Sequence, residues 1–192
     1  MLPTSPIQTL RTLEITADHE AQLQHFFVAN PEYFMAVNGE PAGPNEAIAE
    51  IETLPPPGWG YSKRWLVGYA NAQGELVALA DVVADLLAPS VWHIGLFMVA
   101  TARFGTGDAQ ALYRSLEAWA AASGAHWLRL GVVQGNQRAE RFWEAAGFVQ
   151  TKLRHGVQMG KRSNTLRVMF KPLAGGTLEQ YLCLVERDRE EA

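Results

Sequence analysis

VWHIGLFMVATARFGTGDAQALYRSLEAWAAASGAHWLRLGVVQGNQRAERFWEAAGF, residues 91–148, decides the fold. Its opening apolar run reads as a strand that enters Phe104-Gly105-Thr106-Gly107, where two glycines permit a tight turn into a helix. The first N–H groups of a helix lack partners inside it, and the macrodipole adds roughly half a positive charge there. Such a turn suits an anion, a phosphate above all. Ala109, Leu112, Leu116, Trp119 and Ala120 recur at helical spacing and predict a helix over 107–123, stopped by Gly124. Leu128, Leu130 and Val132 then alternate with Trp127, Arg129 and Gly131, the period of a strand. A parallel strand-helix-strand unit with a second helix behind it follows from this order.

Two segments of the unit carry a family likeness. Gly105-x-Gly107 at the strand-to-helix turn, and Asn136-Gln-Arg-Ala139-Glu-Arg-Phe142-Trp143-Glu-Ala-Ala-Gly147-Phe148 after the next strand, resemble the signature segments of the GNAT superfamily of N-acetyltransferases. The family writes the first as (Gln or Arg)-x-x-Gly-x-(Gly or Ala) and the second as Asn-x-x-Ala-x-x-(apolar)-Tyr-x-x-x-Gly-Phe. The second is the more specific, because an asparagine, an alanine and the closing Gly-Phe all fall at the right spacing. Two positions depart from the pattern: Ala102 stands at the Gln or Arg position, with Arg103 one place later, and Trp143 stands for the tyrosine.

The rest of the chain fits an α/β (α+β) fold, and the resemblance implies a mixed, mostly antiparallel sheet with helices on both faces. Residues 7–15 alternate as an opening strand, and Leu23, Phe26 and Phe27 mark a helix broken at Asn30-Pro31. Tyr33, Phe34 and Val37, then Ile48, Ile51 and Leu54, suggest two short helices before Pro55-Pro56-Pro57-Gly58; in the family this region shapes the acceptor pocket. Residues 65–70 and 76–86 flank Asn71-Ala-Gln-Gly74-Glu75 as a hairpin, with Asp81 and Asp85 interrupting the apolar second arm. A final hairpin is expected from 149–158 and 165–172, joined across residues 160–164, with Lys152, Arg154, His155, Lys161 and Arg162 read as a solvated face. Residues 1–173 thus form one domain, and 174–192 an added C-terminal helix and charged tail that packs on the domain or on a second subunit, the latter making a homodimer.

Composition narrows the function classes. A chain of 192 residues can bury about 70% of its unfolded surface and needs no staple. With 48% hydrophobic and 19% charged residues it is not disordered, and a net charge of −4 gives no general attraction to nucleic acid or anionic membrane. The single cysteine, Cys183, excludes an internal disulfide, and no signal peptide or apolar run of roughly 18 residues is evident. A cytoplasmic protein is the expectation, without nucleic-acid or membrane partners.

The resemblance implies an N-acetyltransferase that uses acetyl-CoA, with no metal, to acetylate an amine acceptor, a small molecule in preference to a protein. It implies that the backbone of Phe97, Met98 and Val99 pairs with the pantetheine arm, and that N–H groups of Arg103, Phe104, Gly105, Thr106, Gly107 and Asp108 hold the pyrophosphate, with Asn136 at the cofactor or as a helix cap. His93, four residues before Phe97 and so on its strand face by simple alternation, is the first candidate for general base; Asp81 and Asp85 follow. Trp143 offers an indole N–H that cannot titrate, so the usual acid for the departing thiolate is missing, and a catalytically silent acyl-CoA-binding module is the rival reading.

Overall fold

The computed structural model describes residues 1–190. Seven strands form one sheet in the order β1-β2-β3-β4-β5-β7-β6: β1 (Arg11–Glu14), β2 (Lys63–Ala70), β3 (Leu76–Ala84), β4 (Val91–Val99), β5 (Trp127–Val133), β6 (Val149–Met159) and β7 (Arg162–Pro172). Helices α1 (Glu20–Ala29), α2 (Glu32–Val37) and α3 (Glu46–Glu52) lie between β1 and β2; α4 (Asp108–Ala122) and α5 (Gln137–Ala145) flank β5; α6 (Leu178–Leu184) follows the sheet. All neighbours pair antiparallel except β4 and β5, which run parallel. This is the mixed, mostly antiparallel sheet that the resemblance implies.

Two apolar layers cover the sheet. On one face Leu112, Tyr113, Leu116 and Ala120 of α4 pack on Val82, Ile94, Leu128 and Leu130, joined by Trp143 and Phe148. On the other, Leu23, Phe26 and Phe27 of α1, Phe34 of α2 and Ala47 of α3 pack on Leu79, Leu96 and Met98. Period-2 alternation along each strand divides its side chains between the layers.

The boundaries differ from the sequence reading in places with identifiable causes. The opening strand begins at Arg11, because the chain before it turns back through the Leu10 N–H to Ile7 carbonyl bond. β3 ends at Ala84, since Asp85 has a positive φ of 55° and its carboxylate accepts from the Ser90 N–H and the Ser62 hydroxyl. The last hairpin is tighter than expected, with β6 reaching Met159 and β7 starting at Arg162. Lys152 is buried, not solvated, and its Nζ donates to the Arg187 carbonyl at 2.6 Å.

Arg129 reads in the sequence as the polar half of an alternation, yet β5 is buried on both faces along Trp127–Leu130. Its guanidinium meets Asp188 through Nε to Oδ2 at 2.7 Å and Nη2 to Oδ1 at 2.9 Å, a bidentate pair inside the protein. Tyr181 of α6 donates its hydroxyl to the same carboxylate at 2.6 Å. Burial alone would raise the Asp188 carboxyl, but the bonds from Arg129 and Tyr181 outweigh it and hold its pKa below the ordinary value. The segment after residue 173 therefore packs on this chain's own sheet, over Val91, Trp127 and Phe170; residues 191–192 of the expected tail lie outside the described residues.

Removing one partner of a buried ion pair strands the other charge. Asp188→Asn is expected to lower unfolding stability by about 3–5 kcal/mol, read as a shifted urea midpoint. A change within about 0.5 kcal/mol, the size of a typical surface substitution, would mean that water already compensates Arg129.

Candidate functional site

β4 is hydrogen-bonded to β5 only from Val91↔Trp127 to Ile94↔Leu130, whereas β3 stays paired with β4 up to Val99. Beyond Ile94 the two parallel strands part, and β5 continues with β7 as far as Val133↔Leu166. Among the described residues, one edge of β4 from Gly95 onward is left without a strand partner. Backbone groups of this kind want a hydrogen-bonding partner, which makes the gap a place for an extended ligand.

The parting coincides with a β-bulge: Asp81 faces Leu96 but Val82 faces Ile94, so Gly95 is the extra residue. The bulge also corrects the sequence reading of His93. Simple alternation puts His93 and Phe97 on one face, but the extra residue inverts the phase. Phe97 joins Trp92 and Ile94 on the α4/α5 face, while Leu96 and Met98 turn to α1–α3.

A cavity of about 520 Å³ occupies the gap. Of the residues expected at a cofactor, Phe97, Met98, Val99, Arg103, Phe104, Gly105, Gly107 and Asn136 line it, as does Trp143; Thr106 and Asp108 do not. Gly105 and Gly107 have φ of 77° and 88°, left-handed values that glycine adopts freely, and Gly107 is the N-cap of α4. The N–H groups of Arg103 and Phe104 are used within the turn, donating to the Ala100 and Thr101 carbonyls at 2.8 and 3.0 Å. Among the described residues those of Gly105, Gly107 and Ala109 have no protein acceptor, and these three residues line the cavity.

Two arginines stand at this turn. Arg103 is ion-paired with Asp108 at 2.6 Å, which answers how a carboxylate is tolerated there. Arg138, which sequence reasoning missed, lies with its guanidinium carbon 4.1 Å from the Phe104 ring centroid and also lines the cavity. Its signal was available as the one cation between Asn136 and Ala139. Asn136 caps α5, its Oδ1 accepting from the Ala139 N–H at 3.3 Å, while facing the cavity. Trp143 is buried among Phe97, Tyr113, Phe142 and Phe148.

Asp81 and His93 line a second cavity, of about 240 Å³, with Glu50, Arg64 and Trp59. Tyr33 lines both cavities. Leu54, Pro55, Leu86 and Leu96 also line the second. Arg64 joins its two carboxylates, with Nε to Asp81 Oδ1 at 2.7 Å and Nη2 to Glu50 Oε1 at 2.9 Å. Burial, reinforced by the Asp81 charge and only partly offset by Arg64, pushes the Glu50 pKa up to about 7. Burial likewise raises Asp81 against the pull of Arg64.

His93 Nδ1 lies 3.1 Å from the Arg129 carbonyl and 3.4 Å from Arg129 Nη1. The nearer group is an acceptor only, so Nδ1 carries the hydrogen and Nε2 is left as the acceptor. Burial, and then the Arg129 charge, depress its pKa to about 3. The ring is neutral at any ordinary pH. Asp85, by contrast, is a turn residue, and it lines neither cavity. Trp65 stacks on Trp92 in the core, whereas Trp59, just after the Pro-Gly turn, lines the second cavity.

Comparison with known proteins bears on the family and the fold. The Acetyltransferase (GNAT) family matches residues 31–148. Among solved structures, an acetyltransferase from Thermus thermophilus superposes with a TM-score of 0.67 at 23% identity, covering 87% of this chain and 99% of that one. The spermidine N-acetyltransferase of Vibrio cholerae, solved with CoA and spermine, gives 0.64 at 16% identity, over 86% of this chain and 96% of its own. The ribosomal-protein-S18-alanine N-acetyltransferase of Escherichia coli gives 0.64 at 14% identity, over 88% and 97%. At these identities the likeness is one of fold. No curated protein matches the sequence.

The bulge supplies a test of the geometry. A Cβ built on Gly95 would stand 2.5 Å from Asp81 Oδ2. Gly95→Ala is therefore expected to displace that carboxylate from Arg64 and to cost about 1–3 kcal/mol of stability, measured by urea unfolding. An unaltered midpoint would show that the Asp81 side chain is free to move aside.

Proposed function

Since the chain belongs to the GNAT family of acetyltransferases, we propose that it is an acetyl-CoA-dependent N-acetyltransferase that acylates a primary amine by direct attack. The observation that carries this reading is the parting of β4 and β5 after Ile94, which opens on a cavity lined by residues of both signature segments. Coenzyme A suits that cavity. The free edge of β4 offers amide and carbonyl partners to a pantetheine chain, and the N–H groups of Gly105, Gly107 and Ala109, with Arg138 nearby, offer donors and charge to a diphosphate. When bound, acetyl-CoA supplies an activated thioester.

The chain's own residues then position the reactants, exclude water and manage protons, which is all that amide formation from a thioester demands. In this reading the amine enters by the second cavity, on the α1–α3 face, and meets the acyl group beside the bulge. His93, neutral and with Nε2 as acceptor, orients the amine and removes no proton from it. Proton removal falls to the carboxylates that line the same cavity. Trp143 walls the cofactor cavity and leaves the thiolate without a titrating acid; because a thiol of pKa about 8.5 is a tolerable leaving group, turnover is retained.

Isothermal titration with acetyl-CoA, followed by a thiol-release assay over a panel of amines, tests the proposal. Micromolar binding and turnover of at least one amine are expected, whereas binding without release on any amine would identify a silent acyl-CoA-binding module, and no binding would remove both. Trp143→Tyr is expected to hold or raise kcat, since it supplies a titrating donor at the position where the family has one. A large fall in kcat with unchanged acetyl-CoA affinity would assign the indole a role of its own.

A further inference from the structure

We propose that the second cavity is the acceptor subsite for a small primary monoamine on an apolar body, and that Glu50 takes the proton from its ammonium form. This rests on the acetyltransferase reading and deepens it. Three observations lead there.

The charge balance selects a cation. Among the lining residues two carboxylates, Glu50 and Asp81, share the one guanidinium of Arg64, so the lining is short of one positive charge when both are ionised; Arg129, paired with Asp188, and Arg187 lie against Trp59 and do not line the cavity. An amine with its own carboxylate is repelled. Leu54, Pro55, Trp59, Val83, Leu86 and Leu96 supply apolar wall, and the other polar lining groups, Tyr33, Thr53 and His93, are uncharged, so a second ammonium on a polyamine would find no counter-charge. The size agrees: about 240 Å³ lies below the roughly 300–1,000 Å³ of most small-molecule clefts.

The carboxylate of Glu50 is held in place. Arg64 donates from Nη1 to the Ile51 carbonyl at 3.0 Å and from Nη2 to the Glu50 carbonyl at 2.8 Å, gripping the end of α3 while it binds the Glu50 side chain. An acid so fixed meets the geometric requirement for proton transfer. Its sequence position, inside a connector between two strands, gave no sign of this.

The proton affinity suits the task. The groups facing Glu50 are Arg64 from β2, Asp81 from β3, Tyr33 from α2, His93 from β4 across the cavity, and Glu46 from its own helix. Their balance with burial leaves Glu50 near pH 7, where it can accept a proton and give it back to water. The step balances as follows. The ammonium gives one proton to Glu50; the amine lone pair forms the N–C bond; the C–S bond breaks with its electrons on sulfur; the second amine proton passes to that sulfur. Glu50 returns its proton to solvent, so that ammonium and thioester become amide, thiol and a proton.

The test uses the full chain with acetyl-CoA binding measured first. Thiol release is then compared for hexylamine and phenethylamine against spermidine and glutamate, across pH. The expected result is preference for the two apolar monoamines, with a rate that rises through a pH near 7. Glu50→Gln should lower kcat/KM by about 100-fold, leave acetyl-CoA affinity within about twofold and abolish that rise. A second readout needs no activity. The folded protein retains the Glu50 proton after the unfolded chain has released it at the ordinary value of 4.5, so this group's stabilisation is full below 4.5 and is lost as pH rises through about 7. Glu50→Gln should remove that component from the melting temperature.

Spermidine or glutamate as the best acceptor, an unchanged rate profile in Glu50→Gln, or acetyl-CoA binding with no amine turned over would each overturn the inference while the cofactor reading stands. Failure of acetyl-CoA to bind would overturn both. Should Glu50→Gln not fold, the acceptor order and pH profile of the natural sequence still decide.

Discussion

A strand in the middle of a sheet is normally paired along both edges, and β4 is not. Its pairing with β5 ends at Ile94 while its pairing with β3 continues. The gap does not collapse because an aromatic wedge holds it: Phe97 stacks on Phe142 at 5.8 Å and meets Trp143 edge-on at 5.8 Å. The bulge at Gly95 is what turns Phe97 toward α5 in the first place. One inserted residue thus sets the phase of the strand, exposes its backbone and directs an aromatic ring into the breach. The candidate site depends on these three consequences together.

The strand that parts from β4 must be secured elsewhere. β5 is held by β7 through seven register pairs, and at its base by the Arg129–Asp188–Tyr181 network. That network also sets the environment of His93, whose ring touches the Arg129 carbonyl and feels its charge. Arg187, beside Asp188, lies 3.8 Å from the Trp59 ring centroid and so steadies one wall of the second cavity. A terminal segment that looks like an accessory in the sequence is thereby tied to both the sheet and the site.

Much of this was legible in the chain because it is written in local signals. The parallel unit, the glycine turn, the capping Asn136 and the helix that stops at Asn30-Pro31 all follow from periodicity and from residues with one strong backbone preference. What escaped was non-local. The exception is Gly95, a lone glycine inside a strand pattern and so a local sign of a bulge, which simple alternation passes over in placing His93 and Phe97 on one face. Arg129 and Lys152 look like surface residues until Asp188 and the Arg187 carbonyl, far along the chain, are folded against them. Glu50 acquires its character from burial in the folded protein and from Arg64 and Asp81 on two strands that follow it.

The two cavities differ in electrostatic character, and Tyr33 contributes to the lining of both. On the first, the free amides of a helix start and two arginines face the opening, one of them paired with Asp108. On the second, two carboxylates share one arginine beneath apolar walls. An anionic ligand is thus favoured on one side and a cationic one on the other, and neither is favoured in the other's place. Gly95 stands at the boundary: the space its missing side chain leaves is filled by the Asp81 carboxylate on one side, while the strand edge that begins with it faces the gap on the other. In the proposed transfer the reactants therefore approach one another beside Gly95, where the Asp81 carboxylate takes the place of a local side chain.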